Sequence, residues 1–90
     1  MKIGFQVHGR VQGIGYRYFV RQQAQALGLD GWVRNEFDGT VSGEAGGDAA
    51  GVTQFREALE QGPSGARISR LDWWPLDEGQ SLPSPFAIRS

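Results

Sequence analysis

Residues 3–27 read IGFQVHGRVQGIGYRYFVRQQAQAL, and this stretch contains the first strand, loop and helix that the sequence predicts. Apolar and polar side chains alternate over Ile3–His8, which is typical of a half-buried strand. The glycine-rich run Gly9–Gly15 follows and has no regular period. From Tyr16 to Leu27 apolar side chains recur at steps of three and four residues, which predicts a helix with one buried face.

The segment after this helix predicts a β-hairpin. A second strand is expected over 29–37, with Val33 and Phe37 on the same face of the sheet. The pair Asp38-Gly39 is a strong signal for a two-residue turn, because both residue types tolerate the left-handed backbone that such turns need. The returning strand is expected over 40–45.

The rest of the chain predicts a second helix and a fourth strand. Asp48 is a candidate N-cap for a helix whose apolar side chains recur at helical steps, and Gly62-Pro63 ends that helix. A fourth strand is expected over Ala66–Trp74. Its apolar phase shifts between Ile68 and Leu71, so we predict a β-bulge there.

The order of these elements predicts the fold class. Strand, helix, strand, strand, helix, strand is the ferredoxin-like split βαβ arrangement (βαββαβ), an α+β fold with an antiparallel sheet and two helices on one face. Phe86–Arg89 is a candidate for a short fifth strand at an edge of the sheet. No linker interrupts the pattern, so we expect residues 1–90 to form a single domain.

Composition and charge narrow the class of protein further. The 90 residues are 39% hydrophobic and 21% charged, as in ordinary globular proteins, and no apolar stretch is long enough to cross a membrane. Cysteine is absent, which excludes disulfides and thiolate chemistry, and the single histidine, His8, does not make a metal site by itself. A net charge of −1 gives no general attraction to nucleic acid. We therefore expect no metal, no cofactor, no nucleic-acid or membrane partner, and a monomer in the cytoplasm.

The loop between the first strand and the first helix is the candidate binding site. Its glycines allow successive backbone N–H groups to turn toward one point, and the helix adds free N–H groups and a partial positive charge. This combination suits a phosphate. Arg17 adds a planar charged fork, and a cation at a helix N-terminus is unfavourable unless an anion is bound there. From these residues alone, a loop that only turns the chain is an equal alternative.

Two spaced motifs in this sequence resemble those of a known family. The run His8–Arg17 closely resembles the first signature of the acylphosphatases, and Gly28–Asn35 with Asp38–Val41 resembles the second. The resemblance extends over essentially the whole chain. It has small departures, since Ile14 stands where valine is commoner in the family and Tyr16 where phenylalanine is commoner.

The resemblance implies a metal-free hydrolase of acyl phosphates. The reaction would cleave the carboxyl–phosphate anhydride bond by direct attack of a bound water, giving a carboxylate and inorganic phosphate. By resemblance, Arg17 binds the substrate phosphate and Asn35 orients the water. The candidate phosphate-binding residues are Val11, Gln12, Gly13, Ile14, Gly15, Tyr16 and Arg17. Because the leaving carboxylate is a weak base, charge stabilisation and positioning are sufficient for this reaction.

Other interpretations stay open at this point. Without the resemblance, Asn35 would be taken for a polar strand residue that faces solvent. A phosphatase that prefers carbamoyl phosphate, similar to the first domain of the hydrogenase-maturation proteins, would share the motifs, although those proteins are much longer. A non-catalytic ferredoxin-like module that binds an anion or RNA is the alternative from another class. The pairing of Arg17 with a water-orienting amide counts against it, and His8 and Trp73-Trp74 are expected to be structural.

Overall fold

The computed structural model describes all residues from Met1 to Ser90 as five strands and two helices. The elements are β1 (Lys2–Arg10), α1 (Tyr16–Ala26), β2 (Asp30–Asn35), β3 (Val41–Gly46), α2 (Ala49–Gln61), β4 (Arg67–Pro75) and β5 (Ala87–Ile88). The predicted βαββαβ order is therefore confirmed, with the fifth strand following it. Neither helix is long and apolar enough to cross a membrane.

The five strands form one sheet in the order β4-β1-β3-β2-β5. The first four strands pair antiparallel, as predicted, but β5 pairs parallel to β2, so the sheet is mixed and the prediction of a purely antiparallel sheet was wrong. The connection from β4 explains this direction. It bonds first to the start of β1, through Leu76 N–H to the Lys2 carbonyl, and then to the start of β2, through Gly31 N–H to the Pro83 carbonyl. A chain that arrives at the start of β2 runs along that edge in the same direction as β2.

The core lies between one face of the sheet and the two helices. Ile3, Phe5 and Val7 alternate inward along β1 and are at most 3% exposed. The buried face of α1 contributes Tyr16, Val20 and Ala24, and that of α2 contributes Val52, Phe55 and Leu59. The predicted periodicities of strand and helix are thus confirmed, because the same residues form one continuous apolar cluster.

The turn between β2 and β3 is longer than predicted. β2 ends at Asn35, and Glu36 closes the turn by donating its N–H to the Thr40 carbonyl at 2.8 Å. Phe37 therefore lies at the tip of the turn and is fully exposed, so the prediction that it shares the buried face with Val33 was wrong. Of the Asp38-Gly39 pair only Gly39 is left-handed, with a φ of 90°, so the predicted two-residue turn does not form.

Two local predictions are confirmed by hydrogen bonding and register. The Asp48 carboxylate accepts the N–H of Gly51 at 2.7 Å and caps α2. On β4, Arg70 lies opposite His8 and Ile68 opposite Gly9, so one residue between them is extra. This is the predicted bulge, and it lies where β1 leads into the glycine-rich loop.

Candidate active site

The loop from Val11 to Gly15 presents backbone N–H groups that the protein does not use. Gly13 and Gly15 have φ values of 77° and 79°, a left-handed backbone conformation that residues other than glycine rarely adopt. Gly15 is the N-cap of α1 and provides no capping side chain. Fourteen backbone hydrogen bonds lie outside the helices and strands, and none of them is donated by a residue from Val11 to Arg17. The loop and the first turn of α1 thus offer consecutive donors to an external acceptor.

Both ends of this loop are fixed in the core. Val11 is 1% exposed, and so is Tyr16. The Tyr16 hydroxyl donates a hydrogen bond to the Leu59 carbonyl at 2.9 Å and so ties the start of α1 to the end of α2. Burial raises the pKa of the Tyr16 phenol far above its usual value, so this donor keeps its proton at any physiological pH. The loop is therefore held at each end, whereas its middle is open to solvent.

Arg17 and Asn35, the two predicted catalytic residues, line the same depression beside this loop. Its volume is about 90 Å³. The lining residues are Val11, Gly13, Gly15, Tyr16, Arg17, Tyr18 and Asn35. Asn35 reaches it because it is the last residue of β2 and pairs with the fully buried Val41, on the sheet face that the helices cover. The packing of α1 against β2 therefore brings together Arg17 and Asn35, which are far apart in the sequence.

The amide of Asn35 is left without a protein partner. Its Oδ1 atom is buried and accepts no hydrogen bond. A buried acceptor without a hydrogen bond destabilises the folded state by about 1–3 kcal/mol, and such acceptors are rare in native proteins. The oxygen therefore marks a position where a donor from outside the protein chain is expected.

Arg17 makes the depression electropositive. It is the only charged side chain among the lining residues, and it enters none of the ion pairs of the chain. The N-terminal end of α1 adds a partial positive charge at the same place. An anion at this position would satisfy both the guanidinium and the free N–H groups.

The side chains of two predicted phosphate-binding residues, and that of His8, lie outside the depression. Gln12 and Ile14 do not line the depression: the Gln12 side chain bonds to the β2–β3 turn, and Ile14 lines a separate shallow depression with Arg10. His8, to which the sequence assigned no role, pairs with Asp72 at 2.9 Å on the other face of the sheet.

One lining residue was missed by the sequence reasoning. Tyr18 is 62% exposed and forms part of the rim, with the Arg21 guanidinium 5.1 Å from the centre of its ring. Nothing in the sequence marks it, since an exposed aromatic one position after Arg17 is compatible with any helix surface. No group of three or more His, Cys, Asp or Glu side chains comes together to hold a metal ion.

The turn next to Asn35 is held by two carboxylates with lowered pKa values. Hydrogen bonds from Arg34 and Ser42 hold the pKa of Glu36 below its usual value of 4.5. Hydrogen bonds from the Thr40 hydroxyl and N–H do the same for Asp38, whose usual value is 3.8. Each carboxylate therefore stabilises the turn more strongly in its charged form than in its protonated form.

We expect the free energy of unfolding to fall at acid pH, with these two carboxylates contributing. A folded-state pKa below the unfolded value gives stability that is present above the unfolded pKa and is lost as the pH falls through the folded value. The free energy of unfolding of the wild type, measured with urea, should thus fall as the pH drops below about 4. In an Asp38→Asn, Glu36→Gln double variant it should fall less over the same pH range. Equal acid dependence in both proteins would contradict this assignment.

The family of this chain follows from its match to known proteins. The family model for acylphosphatases matches residues 3–88. This chain belongs to the acylphosphatase family. An acylphosphatase of Mesorhizobium japonicum is 52% identical over 82 residues, which cover 91% of this chain and 86% of that protein.

Solved structures agree with the acylphosphatase assignment. The crystal structure of an acylphosphatase from Bacillus subtilis superposes with a TM-score of 0.86 at 33% identity and covers 99% of this chain and 98% of its own. HypF of T. kodakarensis also contains this fold, with a TM-score of 0.84 at 29% identity, but only 12% of that chain is covered. Family membership makes this acylphosphatase an enzyme, and hydrolysis of small acyl phosphates is its activity at the level of the family.

Proposed function

We propose that this acylphosphatase binds the phosphate of its substrate between the Val11–Arg17 backbone and the Arg17 guanidinium, and that Asn35 presents the attacking water. The observation that carries the proposal is the depression that Arg17 and Asn35 line together with a loop of unused N–H donors. The donors, the cation and the free amide oxygen are all needed by one reaction, the transfer of a phosphoryl group to water.

The phosphate half of the site stabilises negative charge. Acyl phosphates carry charge on the non-bridging phosphoryl oxygens, and the charge distribution changes as the bond to the acyl group lengthens. Backbone N–H groups that are already in place can follow this change without reorganising. The Arg17 fork provides two parallel donors that match two phosphoryl oxygens.

The amide half of the site places the nucleophile. Asn35 Oδ1 accepts a hydrogen bond from a water molecule and so directs a lone pair of the water oxygen toward phosphorus. The water oxygen forms a bond to phosphorus while the bond from phosphorus to the acyl oxygen breaks. The proton leaves the water for a phosphoryl oxygen of the substrate, and the acyl group departs as a carboxylate. Since a carboxylate is a good leaving group, the reaction needs no general acid, and we propose that it needs no metal ion.

We propose that the enzyme acts as a monomer, the simplest state for a chain of 90 residues with a net charge of −1. Light scattering at assay concentration tests this directly. The cytoplasmic location and the absence of a nucleic-acid partner, both expected from the sequence, stay predictions.

Hydrolysis of benzoyl phosphate in the presence of EDTA tests the proposed reaction. We expect turnover that EDTA leaves unchanged and that inorganic phosphate inhibits competitively, because phosphate occupies the same donors as the substrate. Acetyl phosphate and carbamoyl phosphate, assayed in parallel, distinguish a general acylphosphatase from one that prefers carbamoyl phosphate. A folded protein that is inactive on all three substrates, or one that EDTA inactivates, would contradict the proposal.

A further inference from the structure

The Gln12 side chain joins the phosphate-binding loop to the turn that follows Asn35. Its Nε2 atom donates hydrogen bonds to the carbonyl oxygens of Glu36, at 2.8 Å, and of Thr40, at 2.9 Å. Glu36 is the next residue after Asn35. One side-chain amide therefore connects the middle of the loop to the segment that carries the proposed water-binding residue.

The sheet itself does not make this connection. β1 and β3 pair only as far as Val7 opposite Val41, and from His8 onwards β1 pairs with β4 alone. Asn35 lies opposite Val41, on the last pair of β2 and β3. The loop and the turn thus both lie beyond the end of the β1–β3 ladder, where the two Gln12 bonds join them.

These two bonds are not needed to satisfy the turn or to shape the loop. The Glu36 carbonyl also accepts the N–H of Gly39, and the Thr40 carbonyl also accepts the N–H of Glu36. The loop is held separately at its two ends by the buried Val11 and Tyr16. What remains for the Gln12 side chain is the position of the loop relative to the turn.

We propose that Gln12 is a positioning residue, whose side chain sets the distance between the bound phosphate and the water held by Asn35. The inference rests on the proposed function, and it assigns to Gln12 a second role besides its backbone N–H. Without the two bonds the turn shifts relative to the loop, and the water is no longer in line with the bond that breaks. A misplacement of about 1 Å costs on the order of 100-fold in rate, whereas phosphate binding depends on the loop and Arg17 and is kept.

The variant Gln12→Met tests this role, since methionine keeps the length of the side chain and lacks the donor. We expect kcat for benzoyl phosphate to fall by roughly 10- to 100-fold, with the inhibition constant of inorganic phosphate within about threefold of the wild type. Gln25→Met is the matched control, because Gln25 also donates its Nε2 to a backbone carbonyl, that of Phe86 at 3.1 Å, outside the site. Its kcat should equal that of the wild type.

A double-mutant cycle shows whether Gln12 acts through Asn35. In an Asn35→Ala background, Gln12→Met should change kcat by less than about threefold, because the group that it positions is gone. If the double variant lost kcat by the product of the two single-variant factors, the two residues would act independently and the proposal would be overturned. So would a Gln12→Met variant that loses phosphate affinity at unchanged kcat, which would show that Gln12 shapes the phosphate-binding loop instead.

A spectroscopic measurement tests the positioning without any assay. Asn35 is the only asparagine in the chain, so selective labelling with ¹⁵N-asparagine gives one pair of side-chain amide signals. Gln12→Met should shift or broaden this pair, and Gln25→Met should leave it unchanged. An unmoved Asn35 signal in Gln12→Met would refute the inference even if the proposed chemistry is right, and inactivity of the wild type would refute the chemistry alone.

Discussion

Arg17→Ala is expected to lower kcat/KM for benzoyl phosphate by about 10³-fold or more, the scale on which arginines act in phosphoryl transfer. Arg17 is the only charged side chain that lines the depression. Its removal leaves the charge of the phosphoryl group to backbone N–H groups alone. The same change should weaken competitive inhibition by inorganic phosphate at least tenfold, because ground-state and transition-state phosphate both use the guanidinium. Steady-state kinetics with and without phosphate measure both effects.

The stability of Arg17→Ala should not fall with its activity, which separates a functional role from a structural one. Arg17 lies in the first turn of α1, which contains no acidic residue, so its charge is unfavourable next to the helix dipole. Urea unfolding of Arg17→Ala should show an unchanged free energy, or one higher by about 0.3–1 kcal/mol. A large loss of activity together with a large loss of stability would mean that the assay reports misfolding.

Two further variants make the Arg17 prediction specific. Arg17→Lys keeps the charge but loses the planar fork, so we expect activity between those of the alanine variant and the wild type. Arg56→Ala is the matched control: Arg56 is exposed on α2 and pairs with Glu60, an exposed pair of small energetic value. If a folded Arg17→Ala enzyme kept more than about a tenth of the wild-type activity, the phosphate site would have to lie elsewhere.

Local features of this fold were predictable because local residues determine them. The alternation of Ile3–His8, the helical spacing after Tyr16 and the Asp48 cap depend on neighbours in the sequence, and each is confirmed. The exposure of Phe37 was not predictable in this way. It depends on where the turn closes, and the bond from Glu36 to Thr40 closes it one residue earlier than the Asp38-Gly39 pair predicted.

The site was predictable only in part, and for a related reason. Glycines before a helix N-terminus suit an anion site, but from these residues alone a loop that only turns the chain was an equal alternative. Asn35 could be assigned only through the resemblance to acylphosphatases, because a polar residue at a strand end has no distinguishing pattern. No pattern in the sequence predicts the two hydrogen bonds of the Gln12 side chain, because a side-chain amide can bond to any backbone carbonyl that the tertiary structure brings near.

Asn35→Ala should lower kcat for benzoyl phosphate by about 10²- to 10³-fold, the range found when one preorganised polar group is removed from an active site. Phosphate binding should survive, with an inhibition constant within about threefold of the wild type, because the loop and Arg17 are intact. Phosphate inhibition is expected to weaken in Arg17→Ala and to be kept in Asn35→Ala because the two residues have different proposed roles. In the proposed mechanism, Arg17 acts on the phosphoryl oxygens and Asn35 acts on the water.

The unpaired amide oxygen gives this last prediction a further test. Asn35 Oδ1 is buried without a donor, so its removal should not destabilise the fold, and the free energy of unfolding should stay equal or rise. Asn35→Asp keeps the size and the acceptor but adds a negative charge beside the phosphate, so it should weaken phosphate inhibition as Asn35→Ala does not. Asp30→Ala, an exposed position at the other end of β2, is the control and should match the wild type. An Asn35→Ala enzyme with normal kcat would show that the substrate and the loop place the water and that Asn35 has no role in the reaction.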